Sequence, residues 1–215
     1  VLGEWQRETL RLSRERGLAY HTQVSGSNWE LDPIPWIVPS VEWSALEPGI
    51  AQRARLYDAI LRDLYGKQRA LKQGWVPPEL VLGHPGFIRS LHGSLQLARN
   101  ASLGISALDL ARTSDGTWVV LNDRFDHPYG LGVALENRTV VNQVLPNLFR
   151  RCQVRRIGHF FSDWFNHLAD SAGAITDHPR LVLLDSNLDG SAESNFLSNY
   201  CGIPHVTSSD LTVRD

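Results

Sequence analysis

Apolar side chains recur at helical spacing in several stretches of the chain and at strand spacing in others. From Ser44 to Gly66 the positions Ile50, Ala54, Tyr57, Ile60, Leu61 and Leu64 fall on one face, and Ser44 with Glu47 has capping-box spacing. The pattern predicts an amphipathic helix over 44–65. Residues 4–16 are strong helix formers with no breaker before Gly17, which suits a C-terminal cap. Ile157, Phe160, Phe161, Trp164 and Leu168 form one stripe of a helix over 156–172. Another helix is expected from about Glu136, carried by Val140, Val141, Val144, Leu145, Leu148 and Phe149 and kinked or broken at Pro146.

Strand signals lie between these. Ile105–Arg112 and Thr117–Leu121 flank Thr-Ser-Asp-Gly at 113–116, a tight-turn sequence, and read as a β-hairpin. Leu181–Leu184, a helix over 192–200 closed by Gly202, and His205–Val213 read as a β-α-β unit. Residues 18–39 read as strand and loop, with Pro33, Pro35 and Pro39 forbidding a helix, and 67–103 as loops with a short helix. The fold class expected is α/β: a hairpin layer with helices, plus the β-α-β unit. Three segments follow in order: an N-terminal helix and strand segment over 1–103, a hairpin with its following helices over 104–175, and the β-α-β unit over 178–215.

Composition narrows the function classes. The 215 residues are 42% hydrophobic and 20% charged, enough to bury a sizeable core. A net charge of −2 with no long like-charge run gives no electrostatic support for a nucleic-acid or membrane partner. The longest apolar runs fall far short of the roughly 18 residues of a membrane helix, and no signal-like segment opens the chain, so a cytoplasmic location is expected. Cys152 and Cys201 encode neither a disulfide framework nor a zinc motif. The absence of Met and a final Leu211–Asp215 that reads as a strand entering a turn lead to the expectation of a fragment truncated at its C-terminus.

Phosphate-loop, dinucleotide-fold and nucleophile-elbow motifs are all missing. His159, Asp163 and His167 share a face of the 156–172 helix and could reach a metal, but a closed zinc site needs a further ligand, and the reading taken is a solvated polar face. Gln52, Arg53 and Arg55 are likewise read as the polar face of the 44–65 helix. Glu136-Asn137-Arg138 falls at an expected helix start, just after Gly130 and Gly132, where free N–H groups and the helix dipole favour phosphate or carboxylate. In the hairpin, Asp109 and Asn122 are thirteen positions apart, and alternation points Asn122 and Arg124 one way and Asp123 the other.

That hairpin resembles the metal-binding hairpin of ATP-grasp ligases, in which an Asp is followed thirteen residues on by Glu-x-Asn and then Pro-Gly. Trp29-Glu-Leu-Asp-Pro-Ile-Pro35, Val41-Glu-Trp43, Gln52-Arg53, Asp63-Leu-Tyr-Gly66, Gly74 with Pro77-Pro78, Leu135-Glu-Asn-Arg138 and Asp210-Leu-Thr-Val-Arg-Asp215 extend the likeness to about residue 29 through the last residue. Together they resemble the circularly permuted ATP-grasp family, type 2. The resemblance implies an incomplete ATP-grasp-like fold in which the hairpin precedes a pre-ATP-grasp unit, with a nucleotide-clamping part beyond residue 215. It implies ATP- and Mg²⁺-dependent joining of a small-molecule or peptide carboxylate to an amine, and a helical companion domain of the same chain or operon. Residues 1–215 alone are expected to be inactive.

Carried over residue by residue, the likeness implies Asp109, Asn122 and Asp123 on the metal side, Arg124, Asn137 and Arg138 toward phosphates, Arg124 and Arg138 as catalytic, and Glu193 toward substrate. The chain also departs from it. Where the active branch of the family reads Val-Leu-Glu-Asp-Asn before Pro-Ser-Gly, this sequence has Leu121-Asn122-Asp123-Arg124 and His127-Pro128-Tyr129-Gly130. A ligating carboxylate becomes an amide and an amide becomes a permanent cation. Glu193 is kept but the His of the same region is lost. Two classes therefore stand: a ligase, and a module that keeps the fold for binding or scaffolding after losing the metal ligands.

Overall fold

A computed structural model describes residues 2–16, 31–94, 102–125, 130–172, 179–184 and 192–212; the side chains of Ala192, Glu193 and Asn195 are outside the description. Helices and two small sheets alternate, a mixed α/β content. None of the described helices is long and apolar enough to cross a membrane. Contacts along the chain divide it into two compact units, neither contiguous: a first unit of 1–37, 129–165 and 180–215, and a second of 38–128 and 166–179.

In the first unit α1 (Leu2–Glu15) packs on α5 (Leu131–Val144), and Arg16 Nη1 reaches Glu136 Oε2 at 2.8 Å. Helix α5 begins five residues before the expected start, because Gly130 in the left-handed region (φ 103) turns the chain directly into Leu131. It ends at Leu145, where Pro146 starts a separate helix α6 (Pro146–Arg151): proline lacks the N–H needed to continue the ladder but suits a first turn. α7 (His159–Ala172) starts in this unit and contributes Phe161 to a cluster with Phe196 and Tyr200 of α8 (Ala192–Cys201). Val133, Val140, Val141, Leu145 and Leu197 complete the buried apolar set. Gly132 is required there, since a Cβ on it would come within 2.4 Å of the Phe196 ring. β3 (Leu183–Leu184) and β4 (His205–Val206) pair in parallel around α8, so the β-α-β unit is present with short strands. The expected strand over 205–213 stops early, because Thr207 and Asp210 close a capping box on a 3₁₀ turn at Ser208–Asp210.

In the second unit α2 runs over Ser40–Leu64, starting four residues before the Ser44 capping box, which is not used. Pro39 (φ −59) precedes the first turn, and Pro48 is accommodated inside the helix. Two short helices follow, α3 (Arg69–Lys72) and α4 (Pro78–Leu82), where one was expected. The Asp63 carboxylate accepts the N–H groups of Arg69 and Ala70 at 3.0 and 2.9 Å and so holds the start of α3. β1 (Ala107–Arg112) and β2 (Trp118–Arg124) form the expected hairpin, extended to Arg124. Gly116 (φ 88) donates its N–H to the Thr113 carbonyl in the turn, and Asp115 accepts from both Thr113 and Thr117.

Candidate functional site

The hairpin's register decides which residues can act together. Arg112 pairs with Trp118, Ala111 with Val119 and Leu110 with Val120, but Asp109 pairs with Asn122 and Leu108 with Asp123. Leu121 is thus an extra residue on β2, a β-bulge. In an unbroken ladder Asp109 would face Leu121 and every later side chain would change sides. The bulge puts Leu108, Leu110, Arg112, Trp118, Val120 and Asp123 on one face, and Ala107, Asp109, Ala111, Val119, Asn122 and Arg124 on the other.

The first face meets α2. Arg53 grips Asp123 with two bonds, Nε to Oδ1 at 2.6 Å and Nη2 to Oδ2 at 2.5 Å, while the Tyr57 hydroxyl donates to Oδ2 at 2.9 Å. Arg53 also stands over the Tyr57 ring, 5.6 Å from its centroid, and Tyr57 packs on Phe125 at 4.2 Å. Near the other end, Glu42 accepts from Arg112 Nη2 and from the Trp118 indole N–H, both at 3.2 Å. Glu42 and Arg53 lie three helical turns apart, about 16 Å of axis, and their targets Trp118 and Asp123 are separated by a similar length of strand. α2 and β2 therefore run in the same direction and are pinned at both ends. Asp58 adds a third tie, accepting the N–H groups of Ser102 and Leu103 at 2.5 and 2.9 Å ahead of β1.

These ties shift titration. The Arg53 guanidinium, with help from the Tyr57 hydroxyl, holds the Asp123 carboxyl below the usual carboxylate range, and that carboxylate raises the Tyr57 phenol and the Arg53 guanidinium. The solvated reading of Arg53 is corrected: it is a positioning residue for the hairpin. Its signal lay in the spacing, since Glu42, Arg53 and Tyr57 share one helix face.

The second face carries a smaller cluster. Arg124 donates to Asp109 Oδ2 through Nε at 2.9 Å, with Nη2 at 2.8 Å from the same oxygen; the Asn122 amide lies 3.4 Å away. Arg124 and Asp109 are about half exposed. Asp109, Asn122 and Arg124 are thus brought together, whereas Asp123, the third residue of the metal-side set, is held on the opposite face. Among the described residues no group of three or more His, Cys, Asp or Glu converges as a metal site.

Asn137 and Arg138 belong to the first unit and are placed differently from the sequence expectation. They sit in the second turn of α5, not at its start, so the backbone N–H groups of that helix end are not theirs to use. Arg138 donates to the Arg155 carbonyl and lies over the Phe149 ring, 5.6 Å from its centroid; burial lowers its pKa. Among the described residues the buried side-chain oxygen of Asn137 has no hydrogen-bond partner. Glu193 lies on α8, with its side chain outside the described residues.

Residues 35–215 match the model of a family described as circularly permuted ATP-grasp type 2. Uncharacterized protein Rv2567 of Mycobacterium tuberculosis is 36% identical over 189 residues, covering 87% of this chain and 21% of the relative. Uncharacterized protein ML0605 of Mycobacterium leprae is 30% identical over 203 residues (94% and 36%), and sll0335 of Synechocystis is 32% identical over 187 residues (86% and 39%). The chain thus spans between a fifth and two-fifths of the length of these relatives.

Proposed function

The chain belongs to the circularly permuted ATP-grasp type 2 family, and from that premise we propose that it forms part of an ATP-dependent ligase joining a carboxylate to an amine through an acyl phosphate. The single observation that carries the reading is the match over 35–215, a span that takes in both the hairpin and the β-α-β unit. The substrates fitting this chemistry are small-molecule or peptide carboxylates and amines, in the cytoplasm where ATP is supplied, with a helical companion domain as partner.

Such enzymes generally use Mg²⁺ with the nucleotide, and the hairpin's donor set does not fit that ion. Mg²⁺ takes near-octahedral oxygen ligands and is usually held by one or two carboxylates plus phosphate. Here Asp109 is engaged by a guanidinium and Asp123 faces α2. Charge neutralisation on this face falls to Arg124. Among the described residues two of its five N–H donors are directed to Asp109, which leaves three to offer to phosphate oxygens.

The ligase reading is tested in the full-length protein by ATP-dependent release of phosphate on supplying mixed carboxylate and amine substrates. Release that requires both is expected. ATP binding without release under any substrate mixture would favour a second reading, a nucleotide-binding scaffold, for which the exchange of metal ligands at Asn122 and Arg124 is the specific observation. Arg124→Ala should weaken ATP binding about ten- to a hundredfold, the worth of one or two charge-assisted hydrogen bonds. No ATP binding at all would remove both readings.

A further inference from the structure

The exposed face of the hairpin presents one carboxylate, Asp109 of β1, and a cation of the partner strand β2 already sits on it. Arg124 is two residues beyond Asn122 on β2, so alternation returns it to the face of Asp109, and its Nε and Nη2 converge on the single oxygen Oδ2. A guanidinium brings permanent positive charge and offers no acceptor, so at that oxygen it supplies what a divalent ion would supply and bars the ion from it. The one acid of β2, Asp123, is no substitute ligand: both its oxygens are taken by Arg53 and Tyr57, and reaching the Asp109 face would require the bulge to be undone. Asn122 contributes at most a neutral amide. We propose that Arg124 is a built-in cation that stands in place of the divalent metal at Asp109, so that this hairpin takes no Mg²⁺ or Mn²⁺.

The inference deepens the proposed function by fixing how this face carries positive charge, and its test involves no nucleotide, so a failure of the ligase reading would leave the result intact. Mn²⁺ alone is titrated into the full-length protein and free ion is followed by electron paramagnetic resonance. The wild type is expected to show no Mn²⁺ binding that Asp109→Asn removes. Asn122→Glu with Arg124→Asn should create a site at least about tenfold tighter than any wild-type binding, since affinity for hard cations rises with the number of charged ligands, and adding Asp109→Asn should abolish it. Wild-type binding that Asp109→Asn abolishes overturns the proposal. So does a double variant that keeps the wild-type thermal midpoint and gains no site. Should the double variant fail to fold, Arg124→Ala serves in its place: Asp109 is then unpaired, a gain of Asp109-dependent Mn²⁺ binding supports the proposal, and its absence overturns it.

Discussion

The two units are held together by different physics. Among the described residues, Val133, Val140, Val141, Leu145, Phe161 and Leu197 are buried in the first unit, while the second buries only Leu71 of the large apolar side chains. The second is instead fastened by carboxylates: Asp123 to Arg53 and Tyr57, Glu42 to Arg112 and Trp118, Asp58 to the backbone ahead of β1, and Asp63 to the start of α3. Apolar contact is non-directional and answers to volume; these ties are directional and answer to charge. The unit that carries the exposed Asp109–Arg124 cluster is therefore the one whose geometry depends on protonation.

The difference is broken most severely from the apolar side. Phe161, 4% exposed and ringed by Phe160, Phe196 and Tyr200, should cost about 3–5 kcal/mol as Phe161→Ala, read as a lower midpoint in urea. Next comes overpacking. Gly132→Ala drives a Cβ into Cδ1 and Cγ of the Phe196 ring and should cost about 1–3 kcal/mol, most of which should disappear when the same change is made in a Phe196→Ala background.

On the polar side Asp123→Asn removes the charge that Arg53 clasps and should cost about 1–3 kcal/mol, most of it shared with Arg53→Met in a double-mutant cycle. Its pH signature separates it from Phe161→Ala. Because the folded carboxyl of Asp123 titrates below its unfolded value of about 3.9, the stabilisation is complete above that value and is lost as pH falls through the lower, folded one. Urea midpoints between pH 6 and pH 2.5 should fall more steeply for the wild type than for Asp123→Asn, and Phe161→Ala should run parallel to the wild type. Equal slopes for all three would dissolve the distinction between the units. The smallest effect belongs to Arg124→Ala: a half-exposed pair contributes less than about 0.5 kcal/mol, so the midpoint should hardly move while the anion-facing properties of the hairpin change.

Periodicity revealed the helices, the hairpin and the β-α-β unit, and proline and glycine marked most breaks. Boundaries were less legible where the deciding feature was a backbone state. Gly130 in the left-handed region moves the start of α5 to Leu131, which takes Asn137 and Arg138 away from a helix end that their sequence position seemed to occupy. α2 ignores a good capping box because Pro39 already sets the first turn. Alternation on β2 alone separated Asn122 and Arg124 from Asp123, yet nothing on that strand announced Arg53 and Tyr57, which come from a helix some seventy positions earlier. Long-range pairing of this kind is written in two places at once, and single-strand periodicity reads only one of them.

The extra residue at Leu121 also bears on how this hairpin is to be aligned with others. Counted outward from the turn, an unbroken ladder places the partner of Asp109 twelve positions on; thirteen is the arithmetic of a strand that has absorbed an insertion. Hairpins lacking the insertion must be superposed with a gap opposite Leu121, or their metal-facing and helix-facing positions will be exchanged throughout. Deleting Leu121 from this chain should accordingly leave Asp109, Arg124 and Asp123 on their present sides, and the intact Arg53–Asp123 coupling in a double-mutant cycle would register it.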